Sequence, residues 1–135
     1  MVETTKYPFL LVTVACRKEG MSREEFRRHN EEIYAPLLRK IAGKVHPLAW
    51  TRTYHVTDGE GPTGIPPLLI GSEDGLDWDC FGEMTFEDEL HYQQFITFIN
   101  SDAASAIMEE EGNFADTSKT KLVVMRRAVT ERIKE

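Results

Sequence analysis

His29, Tyr34, His46, Tyr54 and Asp79 are the side chains whose types suit proton transfer on a small organic molecule. An imidazole changes charge near neutral pH and so serves as general acid or base. A phenol can donate to a developing enolate oxygen, and a sheltered carboxylate can take an acidic carbon-bound proton. His29 follows Phe26 by three residues on an apolar helical stripe. A histidine there is either satisfied in the core boundary or a general acid–base at a cavity rim. Tyr34 stands beside Pro36, and His46 precedes Pro47 in the loop before a strand, where a cavity mouth is expected. His55 and His91 carry less, one on the helix-facing or outer side of a strand and one on a later helix. No histidine pair has a metal-ligand spacing, and CxxC, HExxH, GxGxxG, Walker and GxSxG motifs are missing. The expected chemistry therefore uses no cofactor and no metal.

A second constellation comes from strand alternation. Trp50, Arg52 and Tyr54 share one face, while Thr51, Thr53 and His55 share the other. In the next strand Asp79, Phe81 and Glu83 alternate with Trp78, Cys80, Gly82 and Met84. The latter set suits a helix-covered side, which places Asp79 and Glu83 on the opposite, inward face beside Arg52 and Tyr54. The expected pocket for a polar aromatic ligand then has Trp50, Arg52, Phe81 and Glu83 as binding residues. Asp79 and Tyr54 act within it, with His29, Tyr34 and His46 at its edge. The structural alternative is an Arg52–Asp79 or Arg52–Glu83 ion pair with aromatic filler.

The elements that must position these groups follow from periodicity. Residues 9–17 are apolar and β-branched, as in a central strand. Ser22 with Glu25 forms a capping box that opens a helix whose stripe reads Phe26, Ile33, Leu37 and Ile41, with His29 and Asn30 filling it. Pro36 should kink that helix or restart it, and Gly43 ends it. A strand over 50–56 and another over 76–84 follow, the latter leading into a capping signal at residues 85–88. Then come a helix to about Asn100, a short helix over 102–111 and a last strand over 121–129. The Glu109-Glu110-Glu111 run reads as a solvated helix end. The order βαββαβ predicts an α+β, ferredoxin-like fold with a four-stranded antiparallel sheet.

In the first strand Leu10, Val12, Val14 and Cys16 form a wholly apolar face that suits the helices. The other face, Phe9, Leu11, Thr13, Ala15 and Arg17, is mixed but still too apolar for bulk water. A second copy of the chain is the expected cover, giving a homodimeric α+β barrel with a cavity between two sheets. Between the second and third strands, residues 57–74 hold four of the nine glycines and three of the six prolines. A loop that long suits a lid or an arm gripping the partner subunit.

The chain has 135 residues, which predicts one domain over 1–135 with about 7–130 structured. A net charge of −7 argues against nucleic acid. No apolar run approaches the ~20 residues of a membrane span, and the polar N-terminus lacks a secretory h-region. Cys16 and Cys80 fall in strand segments and read as core thiols. Together these features predict a cytoplasmic protein with a small-molecule partner.

Several segments resemble the EthD-like branch of the dimeric α+β barrel superfamily, and within it the small fungal proteins of aromatic polyketide pathways. They are residues 17–29 (Arg17 to His29), Tyr34-Ala35-Pro36-Leu37-Leu38, Ile70-Gly71-Ser72, Trp78-Asp79-Cys80, residues 83–89 and residues 110–116. The resemblance covers nearly the whole chain. It implies a cofactorless lyase that dehydrates or decarboxylates an aromatic polyketide by proton transfer and enolate stabilisation. A cyclase, a cofactorless monooxygenase or a non-enzymatic binding dimer are the alternatives it leaves. Two departures stand out: the family usually carries His where this chain has Tyr34, and again where it has Trp50. They shift the chemistry to His29 or His46, or change the reaction.

Overall fold

The computed structural model of the chain describes residues 9–55 and 68–134. Strand β1 (Phe9–Ala15) leads to α1 (Arg23–His29) and, through Asn30–Tyr34, to α2 (Ala35–Ala42). Then come β2 (Ala49–Tyr54), β3 (Cys80–Phe86), α3 (Glu89–Ile99), α4 (Ser105–Phe114) and β4 (Lys121–Met125). The sheet order is β2-β3-β1-β4 with every neighbouring pair antiparallel. This is the expected α+β, ferredoxin-like arrangement. Of the long loop, residues 57–67 lie outside the described residues, and 68–79 form an irregular segment with turns at Gly71 and Gly75.

The caps read from sequence are present. Ser22 Oγ accepts from the Glu25 backbone N–H at 3.1 Å, and Asp88 Oδ1 accepts from the His91 N–H at 2.8 Å. Each such cap is worth about 1 kcal/mol. Pro36 sits in the first turn of α2, so the helix restarts there, and its missing N–H leaves no bond unmade. The irregularity lies one turn earlier. Asn30–Tyr34 is a π-helical turn, closed by the Ala35 N–H donating to the Asn30 carbonyl. Such wide turns are common at functional sites because they re-aim side chains.

The face assignment of β1 is corrected by the core. Leu11, not Leu10 or Val12, packs with Leu38, Met84, Phe86, Phe95 and Ile107 under the helices. Phe9, Leu11, Thr13 and Ala15 therefore face the helix layer, and Leu10 and Val12 lie on the open face. Both alternations are apolar, so hydropathy alone cannot choose between them. Burying a side chain such as Phe86 or Phe95 stabilises the fold by about 1.5–3 kcal/mol.

Register then dictates what shares that helix-facing side. Leu11 pairs with Met84 and Met84 with Trp50; Thr13 with Gly82 and Gly82 with Arg52; Ala15 with Cys80 and Cys80 with Tyr54. Bulky residues at one end give way to Thr13, Ala15, Cys80 and Gly82 at the other. This taper holds the helices off the sheet and leaves space between them.

Candidate functional site

That space is a cavity of about 280 Å³ between the helix-facing side of the sheet and the helices. Leu38, Met84, Phe95 and Phe114 give it apolar walls; Asn30, Tyr34, Trp50 and Glu111 bring polar groups. Gly82 is part of its floor for a steric reason. A Cβ there would collide with Thr13 Oγ1 and lie 3.0 Å from Trp50 Nε1, so only glycine lets the indole settle onto the strand.

Tyr34 comes from the end of the π-helical turn. Its hydroxyl donates to Glu111 Oε2 at 3.1 Å, and Thr120 Oγ1 donates to Glu111 Oε1 at 3.2 Å. Burial and then the Glu111 charge push the Tyr34 pKa well above its usual value, so the phenol stays a neutral donor. Its ring meets Trp50 edge to face at 6.0 Å. Trp50 Nε1 is buried with no hydrogen-bond partner among the described residues. A buried unpaired N–H costs about 1–3 kcal/mol, and the indole that bears it lines the cavity.

Behind this wall runs a network. Asn30 Nδ2 donates to the Tyr54 hydroxyl at 2.8 Å, and Tyr54 donates to Glu31 Oε2. Glu31 also takes a bidentate fork from Arg52, at 2.7 and 2.9 Å. The Arg52 bond holds the Glu31 carboxyl below its usual value. Burial, followed by the Glu31 bond, pushes Tyr54 well above its own. The Arg52 guanidinium lies 4.5 Å from the centroid of Trp50 and so buttresses the indole.

The residues predicted from sequence divide accordingly. Tyr34 and Trp50 line the cavity. Tyr54 and Arg52 stand one layer behind it. The expected grouping of Asp79 and Glu83 with Arg52 and Tyr54 is not formed, because Arg52 and Tyr54 share the helix-facing side with Cys80 and Gly82. Glu83 and Phe81 lie on the open face, where Glu83 accepts from Arg127. Asp79 is buried at the start of β3, accepting from the Arg17 N–H at 2.9 Å with Arg23 Nε at 3.4 Å. It ties the start of α1 to the sheet. His29 pairs with Glu110 and stacks on Phe114 at 4.7 Å, and it is not among the residues that line the cavity. His46 lies in an open groove of about 590 Å³ between α2 and β2, its Nδ1 2.8 Å from the Pro47 carbonyl. This cavity lies within one chain, between its sheet and its helices.

Two lining groups were not singled out as functional in the sequence. Asn30 reads there as filler on the helix stripe, and Glu111 as the end of a solvated acidic run. Gly82, inside a strand, is the one sequence signal that something approaches the backbone closely. Among the described residues no three His, Cys, Asp or Glu are placed to hold a metal ion, and no helix is long and apolar enough to cross a membrane.

Comparison with known proteins agrees with this architecture. A protein of Emericella nidulans named decarboxylase is 29 % identical over 122 residues, covering 84 % of this chain and 73 % of its own. Relatives from Passalora fulva, Paecilomyces divaricatus and Claviceps purpurea, 24–25 % identical, are also named decarboxylases. Among solved structures, an EthD family protein of Bacillus halodurans superposes with a TM-score of 0.54 at 20 % identity, over 88 % of this chain and 98 % of that one. A protein of Bacteroides fragilis described as dimeric and ferredoxin-like gives 0.51 at 8 % identity, over 88 % and 95 %. The EthD domain model matches residues 18–118, around the helices, strands and cavity described above, and the chain belongs to the EthD domain family.

Proposed function

We propose that the helix-side cavity is the active site of a cofactor-independent lyase that removes carbon dioxide from a small aromatic polyketide acid. The observation that carries this reading is the unpaired, buried Trp50 N–H beside the neutral Tyr34 O–H in a largely apolar pocket. When a carboxylate leaves as carbon dioxide, the electron pair of the broken carbon–carbon bond moves onto the neighbouring carbonyl oxygen. Two donors fixed in a water-poor site stabilise that enolate, and losing one such donor typically costs a factor of about 10²–10³ in rate. Tyr34 turns its one hydroxyl proton from Glu111 to that oxygen, and the carbon is then protonated by a water that enters as carbon dioxide leaves. The decarboxylase names of the relatives support the reaction class.

Tyr34 and Trp50 stand where the family usually carries histidine. Both are donors that stay protonated, which suits enolate stabilisation, and loss of carbon dioxide needs no base. Dehydration is the second reading, favoured by the Glu111 carboxylate on the cavity wall, which could act as the base. Measuring carbon dioxide and substrate loss together on hydroxylated two- and three-ring aromatic acids separates the two. Release that is unchanged in both Tyr34→Phe and Trp50→Phe would sink the assignment.

The same reading takes the protein as a cytoplasmic homodimer. Val123 and Met125 leave 45 % and 48 % of their surface exposed on the open sheet face, next to Leu10 and Val12. A second copy is the simplest cover for such a face. The buried free thiols of Cys16 and Cys80 suit a reducing compartment.

A further inference from the structure

The amide of Asn30 has a donor end and an acceptor end, and its neighbours decide which points where. Glu31, held by the Arg52 fork, is a carboxylate and can only accept. Tyr54 must therefore donate its one proton to Glu31. The phenol oxygen is left able only to accept. The Asn30 atom 2.8 Å from it is thus the NH₂ group, because the reverse orientation would set two oxygens together with no proton between them. The same nitrogen points at Cys80 Sγ, 3.9 Å away. Asn30 Oδ1 consequently has no partner among the described residues, in a side chain that is 4 % exposed and lines the cavity. The low Glu31 and high Tyr54 pKa values keep this polarity fixed across the physiological range.

We propose that Asn30 is a specificity-determining residue whose locked side-chain carbonyl selects aromatic acids presenting a phenolic hydroxyl to it. Tyr54 and Glu31 are its positioning residues. The cavity then offers two unlike ends: donors from Trp50 and Tyr34 for the oxygen that gains charge, and an acceptor for a hydroxyl proton. A methyl ether cannot donate and leaves that carbonyl unpaired, and sites built to bond a hydroxyl reject analogues lacking it strongly. This inference rests on the reading of the cavity as a site for aromatic acids.

The test is binding, not turnover. Ring-hydroxylated 2-naphthoic acids are titrated calorimetrically, each beside its own methyl ether, against wild type, Asn30→Leu, Tyr54→Phe and Glu31→Gln. Wild type is expected to prefer at least one hydroxy isomer by about tenfold or more. Asn30→Leu should bring that pair to near equality, and Tyr54→Phe, which frees the amide to turn, should shrink the preference. Equal binding of every pair by wild type, or a preference that survives Asn30→Leu, overturns the inference and leaves the cavity reading standing. If Asn30→Leu does not fold, an unchanged preference in both Tyr54→Phe and Glu31→Gln overturns it. Failure of every naphthoate to bind wild type overturns the cavity reading and this inference with it.

Discussion

On the helix-facing side of the sheet, Thr13, Ala15, Cys80 and Gly82 are small, and Trp50, Arg52 and Tyr54 bring polar groups over them from β2. On the other side Phe81, Val123 and Met125 are apolar and flank the buried Leu10 and Val12, beside the Glu83–Arg127 ion pair. One side keeps space and an unpaired donor; the other keeps neither. A catalytic cavity needs room and polar groups without partners, which a close-packed apolar face does not provide. An apolar face without helices instead suits contact with another surface. The two sides of one sheet thus differ in kind, and the mixed face is the one proposed above for the chemistry.

The sharpest way to break that division is to charge the open face. On the dimer proposed above, Val123→Lys with Met125→Lys should weaken self-association by about a hundredfold or more, since like charges would meet across that interface. The change in stability of the single chain should stay within about 0.5 kcal/mol, because both positions are already half-exposed. Sedimentation and naphthoate titration on the same samples check it. Cavity binding that falls together with the dimer would mean that the partner completes the site, and the division would be wrong.

Gly82→Ala probes the opposite side with a single methyl group. The added carbon meets Thr13 Oγ1 and the Trp50 indole, so the indole must lift. Overpacking of this kind costs about 1–3 kcal/mol, and ligand binding should fall by a similar factor as the donor leaves its place. Chemical denaturation and titration read the two effects. A Gly82→Ala protein of wild-type stability and affinity would show that the indole is not held where the strand floor places it.

How much of this was readable in the sequence depends on the range of the interaction. Ser22 and Asp88 cap helices through neighbours three residues away, and both were legible. Strand order followed from the succession of elements. The facing of β1 was not legible, because both of its alternations are apolar and only the long-range contact of Leu11 with Phe95 and Ile107 decides. The facing of β2 was not legible either: Trp50, Arg52 and Tyr54 turn to the helix side with Met84, Gly82 and Cys80, which separates Arg52 from Asp79 and Glu83 and undoes the predicted pocket. Tyr34 and Trp50 were singled out by type and position. Asn30 was hidden because a polar residue on a helix stripe reads as filler until its partner, 24 residues away, is known. Asp79 looked available for chemistry because nothing local announces the two arginines that claim it.

The smallest effect tests the buttress behind the mixed face. Arg52 lowers the Glu31 carboxyl from its ordinary value, so the folded state holds the charged form more strongly than the unfolded chain does. A depressed carboxyl contributes stability that is present above its unfolded pKa and lost as pH falls through the lower, folded value. Glu31→Gln should therefore destabilise the protein at neutral pH and lose that difference in acid. With a third of the Glu31 side chain exposed, solvent screening limits the effect to about 1 kcal/mol or less. Paired melts of wild type and Glu31→Gln at neutral and acid pH give the sign directly. If the gap instead widens in acid, Glu31 is not the charged partner that fixes Tyr54, and the orientation deduced for Asn30 loses its foundation.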